Sequence, residues 1–142
     1  MTTPRLLIVD DDLLTVRLLC ELAARYFSEV PVDGTDSPLT ALEYAKTTEY
    51  SAVLTDLVMP GTDGLQLTAA IHAIQPNVPI IIMTGSPEAV EQSRPGAFAL
   101  LCKPLDIHAV LKTLQSALDH SHDPDARSGL GRAPESQVGA SS

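Results

Sequence analysis

The chain's 142 residues suit one domain with a real core, and 44% of them are hydrophobic. A formal net charge of −9 and a pI near 4.6 argue against a nucleic-acid surface and against attraction to an anionic membrane face. The two cysteines, Cys20 and Cys102, stand far apart in apolar stretches. They build neither a disulfide framework nor a zinc site, and both read as small core residues in a reducing compartment. The start, MTTPRLLIVDDD, has too short an apolar run for a signal peptide, and no segment is long enough to span a bilayer. The expected location is cytoplasmic.

Arg5–Val9, RLLIV, predicts a strand buried on both faces. Three acids follow it, Asp10, Asp11 and Asp12, and then a helix over Leu13–Phe27. Its apolar stripe is Leu14, Leu18 and Leu22, with Leu19 and Ala23 beside it. Glu29–Asp33 is a weaker strand, placed at an edge by Pro31, and Gly34 reads as a turn. Ser37 and Pro38 open a helix to about Thr47, with Leu39, Leu42 and Ala45 inward. Ala52–Leu54 is a buried strand that ends on Thr55 and Asp56. Pro60, Gly61, Asp63 and Gly64 supply the turn behind it. A helix over Gly64–Ala73 places Leu67, Ala70, Ile71 and Ile74 on one side. Pro79–Met83 is the most apolar strand and ends at Thr84; Pro87–Ser93 predicts a short helix. Ala97–Cys102 is the last strand, ending at Lys103. Asp106 caps a final helix to about Leu118.

Strands that alternate with helices imply an α/β fold: a doubly wound, five-stranded parallel sheet, order 2-1-3-4-5, flavodoxin-like, with helices on both faces. The domain is expected over 1–118, followed by a disordered polar tail over 119–142.

In such a sheet all the strand ends share one rim. Asp10, Asp11, Asp56, Thr84 and Lys103 therefore converge there although they are scattered in sequence. Three crowded carboxylates repel and call for a cation, and Mg²⁺ suits oxygen ligands with open positions. Lys103 adds a positive charge for a phosphoryl group, and Thr84 adds a hydroxyl donor. Asp56, the central acid, is then the nucleophile of a phosphoryl transfer that yields an aspartyl phosphate. Alone, each residue has a plainer explanation: a helix cap for Asp10–Asp12, a turn for Thr84, a surface amine for Lys103.

The sequence resembles the receiver domain of bacterial two-component response regulators, the chemotaxis receiver among them. The likeness spans about Arg5 to Leu118. It rests on IVDDD at Ile8–Asp12, LTDLVMPGTDG at Leu54–Gly64, MTG at Met83–Gly85 and GAFALLCKP at Gly96–Pro104. The resemblance implies Asp56 as phosphoacceptor, Asp11 as direct Mg²⁺ ligand, Asp10 acting through water, and the Val58 backbone carbonyl completing the metal sphere. It implies that Lys103 contacts the phosphoryl group, that Thr84 turns inward as a switch, and that the Lys103–Pro104 peptide is cis. The phosphodonor is then a histidine kinase or a histidine phosphotransfer protein, and the output is a protein partner or a homodimer, without direct contact to nucleic acid or membrane. The domain modifies itself and turns over no external substrate, so it is not expected to be an enzyme.

Three departures stand out. Leu100 occupies the position where the family often has an aromatic switch. The segment between Thr84 and Lys103 is short and contains Pro95. Val58 replaces a frequently polar residue, which predicts slow self-dephosphorylation. Two other readings compete. Haloacid-dehalogenase-like phosphatases share a nucleophilic Asp after the first strand, but Leu14 breaks their DxDx[TV] pattern. A receiver-like binding module that ignores phosphorylation would not require the acids, Thr84 and Lys103. His72 and His108 read as helix-surface residues, and His120-x-His122 offers too few ligands for a metal site.

Overall fold

The computed structural model describes residues 4–59, 62–85 and 96–121. In chain order these form β1 (Leu6–Val9), α1 (Leu13–Tyr26), β2 (Val32–Thr35), α2 (Pro38–Thr47), β3 (Ala52–Asp56) and β4 (Val58–Met59). They continue with β5 (Thr62–Asp63), α3 (Gly64–Ile74), β6 (Ile80–Thr84), β7 (Ala99–Cys102) and α4 (Ile107–Ser121). Five strands make one sheet in the order β2-β1-β3-β6-β7, every pair parallel, while β4 and β5 form a small antiparallel ladder. This is the doubly wound order expected from the sequence. The short helix expected over Pro87–Ser93 and most of the expected tail lie outside the described residues.

Continuous apolar strands are the reason for two-sided coverage. Leu6, Ile8, Leu54 and Met83 face α1 and α4, against Leu19, Ala23, Val110 and Leu114. Leu7, Val9, Val53 and Ile82 face α2 and α3, against Ala41, Ala45, Leu67 and Ile71. No helix among the described residues is long and apolar enough to cross a membrane.

Several local expectations are corrected. In α1 the buried positions are Val16, Leu19 and Ala23, whereas Leu14 is 75% and Leu18 54% exposed. The Asp12 cap fixes where the helix starts, and the i, i+3, i+7 set that meets the sheet is then 16, 19 and 23. Leu39 at the start of α2 is likewise exposed, with Ala41 and Ala45 inward. Ile74, expected inward on α3, is exposed, and Cys102 is an exposed thiol. The second strand begins after Pro31 and includes Gly34, which is no turn. A Cβ at Gly34 would lie 2.5 Å from Cys20 Sγ and 2.7 Å from Val16 Cγ1, so glycine here lets α1 approach the edge strand. His72 does more than sit on a surface: its Nε2–H donates to the Val78 carbonyl at 2.9 Å.

The caps are those the sequence announces. Ser37 accepts from Thr40 N–H, Pro38 occupies the first turn of α2, and Asp106 accepts from His108 N–H at the start of α4. The last helix runs past Leu118 to Ser121, whose buried hydroxyl donates to the Ser51 carbonyl at 2.8 Å.

Two polar clusters hold the end of the sheet away from the rim. Gln75 Nε2 donates to the Ala45 and Thr48 carbonyls, and its Oε1 accepts from Tyr50 N–H, tying α3 to the exit of α2. Arg5 forks onto Asp33 with Nε at 2.8 Å and Nη2 at 3.0 Å, and Tyr50 donates its hydroxyl to the same carboxylate at 2.7 Å. The Arg5 hydrogen bond, with that of Tyr50, holds the Asp33 pKa below the usual carboxylate value against the opposing effect of burial. A carboxylate with a depressed folded pKa stabilises above its unfolded pKa, and that stabilisation is lost as pH falls through the folded value. Asp33→Asn is therefore expected to flatten the acid limb of a urea-midpoint-versus-pH curve. An unchanged acid limb would contradict this role.

Candidate functional site

β1 delivers Asp10 to the rim, where the acid is 1% exposed. Its Oδ1 accepts from Asp12 N–H at 2.9 Å, which leaves Oδ2 facing the site. Asp12 turns away: its Oδ1 accepts from Leu14 N–H at 3.1 Å and its Oδ2 from the Thr15 hydroxyl at 3.0 Å. The third acid of the run is thus the N-cap of α1. Asp11, between them, is exposed.

β3 ends on Asp56, which is 6% exposed. The chain then leaves the sheet and returns at Gly64. A Cβ on Gly64 would stand 2.6 Å from the Asp56 carbonyl oxygen and 2.7 Å from Leu57 Cα, so only glycine lets α3 start this close to the exit of β3. The sequence marks Gly64 as part of a turn; its bearing on Asp56 emerges only from the fold.

β7 ends beside Lys103, whose Nζ lies 3.1 Å from Asp56 Oδ2 and 3.4 Å from Asp10 Oδ2. The Lys103 N–H donates to the Thr84 carbonyl at 2.8 Å, which fastens the exit of β7 to the end of β6. The Lys103–Pro104 peptide is cis. Thr84 is 1% exposed and pairs in register with Cys102. Leu100 pairs with Ile82 and packs, half-buried, on the sheet face covered by α2 and α3. Val58 lies in β4, just past Asp56.

The fold thus brings Asp10, Asp11, Asp56 and Lys103 together from three strand ends, with Thr84 on the fourth. Carboxylate oxygens of Asp10, Asp11 and Asp56 all lie within 4.8 Å of one another. Burial pushes the Asp10 pKa above the ordinary carboxylate value; the Asp12 amide opposes this, and the charge of Asp56 reinforces it. Burial alone would lower the Lys103 pKa, but its hydrogen bond to Asp56 and the charges of Asp56 and Asp10 keep it raised, so the amine is a fixed cation at neutral pH. One ammonium against three carboxylates leaves net negative charge in a sheltered hollow, and oxygen donors that close fit a hard divalent cation.

Residues 6–115 match the response regulator receiver domain family. The chain belongs to that family. Among curated relatives, this receiver is 38% identical over 120 residues to the transcriptional regulatory protein GlrR of Escherichia coli K12. It is 35% identical over 124 residues to ZraR of the same strain. These alignments cover 82% and 85% of this chain but only 26% and 28% of the relatives, so the chain spans about a quarter of their length. A CheY-like receiver domain protein from Methanospirillum hungatei JF-1 superposes with a TM-score of 0.75 at 25% identity, covering 85% of this chain and 98% of that one. A sensor protein from Polaromonas sp. JS666 gives 0.74 at 27% identity, covering 83% and 98%.

Proposed function

We propose that this receiver accepts a phosphoryl group on Asp56 in a Mg²⁺-dependent reaction and passes the signal to a protein partner. The observation that carries this reading is Lys103 Nζ lying between the Asp56 and Asp10 carboxylates, with Asp11 beside them. Asp11 and Asp56 would hold the metal directly, Asp10 through water, and the Val58 carbonyl would add a further oxygen. When bound, the ion supplies charge neutralisation for the incoming phosphoryl oxygens. An Asp56 carboxylate oxygen attacks phosphorus, the O–P bond forms, and the bond from phosphorus to the donor's histidine nitrogen breaks with its electron pair staying on nitrogen. Lys103 pairs with a phosphoryl oxygen through its ammonium, and Thr84 donates its hydroxyl to another.

The donor would be a histidine kinase or a histidine phosphotransfer protein. Leu13, Leu14 and Leu18, exposed at the start of α1 next to Asp11 and Asp12, give a helical donor an apolar surface beside the rim. Phosphorylation would shift the surface around Thr84 and Leu100, with the leucine replacing an aromatic ring as the coupled side chain.

Incubation with Mg²⁺ and a small phosphodonor such as acetyl phosphate, followed by intact mass measurement, tests the reading. One phosphoryl group is expected on the wild type and none on Asp56→Asn. No uptake, or uptake that persists in Asp56→Asn, would identify a binding module indifferent to phosphate at this residue. Val58→Asn is expected to shorten the lifetime of the phosphorylated form by supplying a polar group to orient water; equal lifetimes would contradict the role given to Val58.

A further inference from the structure

Side chains alternate along β3. Leu54 belongs to the face covered by α1 and α4, and Val53 to the face covered by α2 and α3. Thr55 has the parity of Val53 and is fully buried. A hydroxyl in such a place destabilises the fold unless it is used, and valine would fill the same space with no polar atom to satisfy. The Thr55 hydroxyl does have a use: it donates to the Asp56 carbonyl at 3.1 Å.

That carbonyl stands where the sheet stops serving it. The ladder between β1 and β3 ends at the Val9–Thr55 pair, and Asp10 N–H turns the other way, to the Thr35 carbonyl at 3.4 Å. Gly64, the first residue of α3, covers the Asp56 carbonyl closely: a Cβ there would stand 2.6 Å from the oxygen. The other end of the same peptide is held as well, because Leu57 N–H donates to the Met83 carbonyl at 2.9 Å. A peptide unit is planar, so anchors at both ends fix its rotation about the Asp56 Cα–C bond. With the strand behind it also fixed, that rotation sets where the Asp56 carboxylate points.

We infer that Thr55 is a positioning residue for the phosphoacceptor: its buried hydroxyl holds the Asp56–Leu57 peptide and so aims the Asp56 carboxylate, whose Oδ2 lies 3.1 Å from Lys103 Nζ. The inference rests on Asp56 being the phosphoacceptor. Thr55 acts through the backbone and touches neither the phosphoryl group nor a metal. Its β-branched side chain is stiff at χ1, which keeps the hydroxyl over the carbonyl. Thr55→Val removes the donor from a carbonyl that Gly64 closes in. The peptide then tilts toward another donor, and the carboxylate turns with it.

Two substitutions in the full chain separate the hydroxyl from the packing. Thr55→Val keeps the shape and removes the hydroxyl, whereas Thr55→Ser keeps the hydroxyl and removes a buried methyl. Phosphoryl uptake from acetyl phosphate with Mg²⁺ is expected to slow about tenfold in Thr55→Val, as a small misplacement of a reacting group does. In Thr55→Ser it is expected to stay within about threefold of wild type, although the void lowers the urea midpoint. A purely structural role predicts instead that uptake follows the urea midpoint in both variants. A second readout needs neither metal nor phosphodonor. Amide exchange at Leu57 is expected to quicken about tenfold relative to Val53, on the same strand, in Thr55→Val and not in Thr55→Ser. Wild-type uptake by Thr55→Val, or Leu57 and Val53 exchange that change together, would overturn the inference. If the wild type takes up no phosphoryl group, the role of Asp56 falls, and the role of Thr55 in aiming it falls too, while the exchange ratio shows separately whether Thr55 holds the peptide.

Discussion

Lys103→Ala is expected to slow phosphoryl uptake from acetyl phosphate by about 10²–10³-fold, the usual cost of removing one preorganised donor from a site of developing charge. The lysine is the only cation among the described residues within salt-bridge reach of Asp10 and Asp56. Its side chain is 35% exposed, so truncation leaves no buried cavity, and the fold should survive. The same variant should bind Mg²⁺ more tightly, because the ammonium that competes for the carboxylates is gone. Opposite movements of the two readouts separate loss of chemistry from loss of structure. Uptake at the wild-type rate would remove Lys103 from the site.

Gly64→Ala is expected to cost about 1–3 kcal/mol in urea unfolding, as overpacking against immovable atoms does. The new methyl would meet the Asp56 carbonyl oxygen at 2.6 Å and Leu57 Cα at 2.7 Å, both backbone. Either α3 or the exit of β3 must move, and the second choice displaces the Asp56 carboxylate. Phosphoryl uptake should therefore fall even in conditions where the variant is fully folded. Gly85→Ala is the matched control: among the described residues its Cβ would have its nearest such contact with Lys103 Cβ at 4.0 Å, ordinary van der Waals distance, and no comparable loss of stability is expected. Equal stability of the two variants would show that the close approach at Gly64 is not limiting.

The convergence of Asp10, Asp56, Thr84 and Lys103 could be read from sequence because a parallel sheet turns four apolar runs into one rim, and each run here ends abruptly on a polar residue, while the weaker run around Pro31 marks the edge strand. The caps at Ser37 and Asp106 were legible for a similar reason: capping depends on residues only two or three positions away. What escaped depends on contacts between segments far apart. The leucines of α1 satisfy helical spacing on more than one face. Only the start set by Asp12 decides that Val16, Leu19 and Ala23 are buried while Leu14 and Leu18 are not. Gly34 and Gly64 look like turn residues in sequence, and their actual constraint is the approach of a helix to a strand. The Gln75 amide and the Arg5–Asp33–Tyr50 cluster join residues 17 to 30 positions apart, beyond any local motif.

Mapping the acyl phosphate tests the central claim most directly. The full chain is incubated with Mg²⁺ and acetyl phosphate, reduced with borohydride to convert any aspartyl phosphate to homoserine, digested, and sequenced by mass spectrometry. The geometry predicts conversion of Asp56 alone, and only when Mg²⁺ is present. Conversion at Asp10, or equal conversion with the metal chelated, would contradict it.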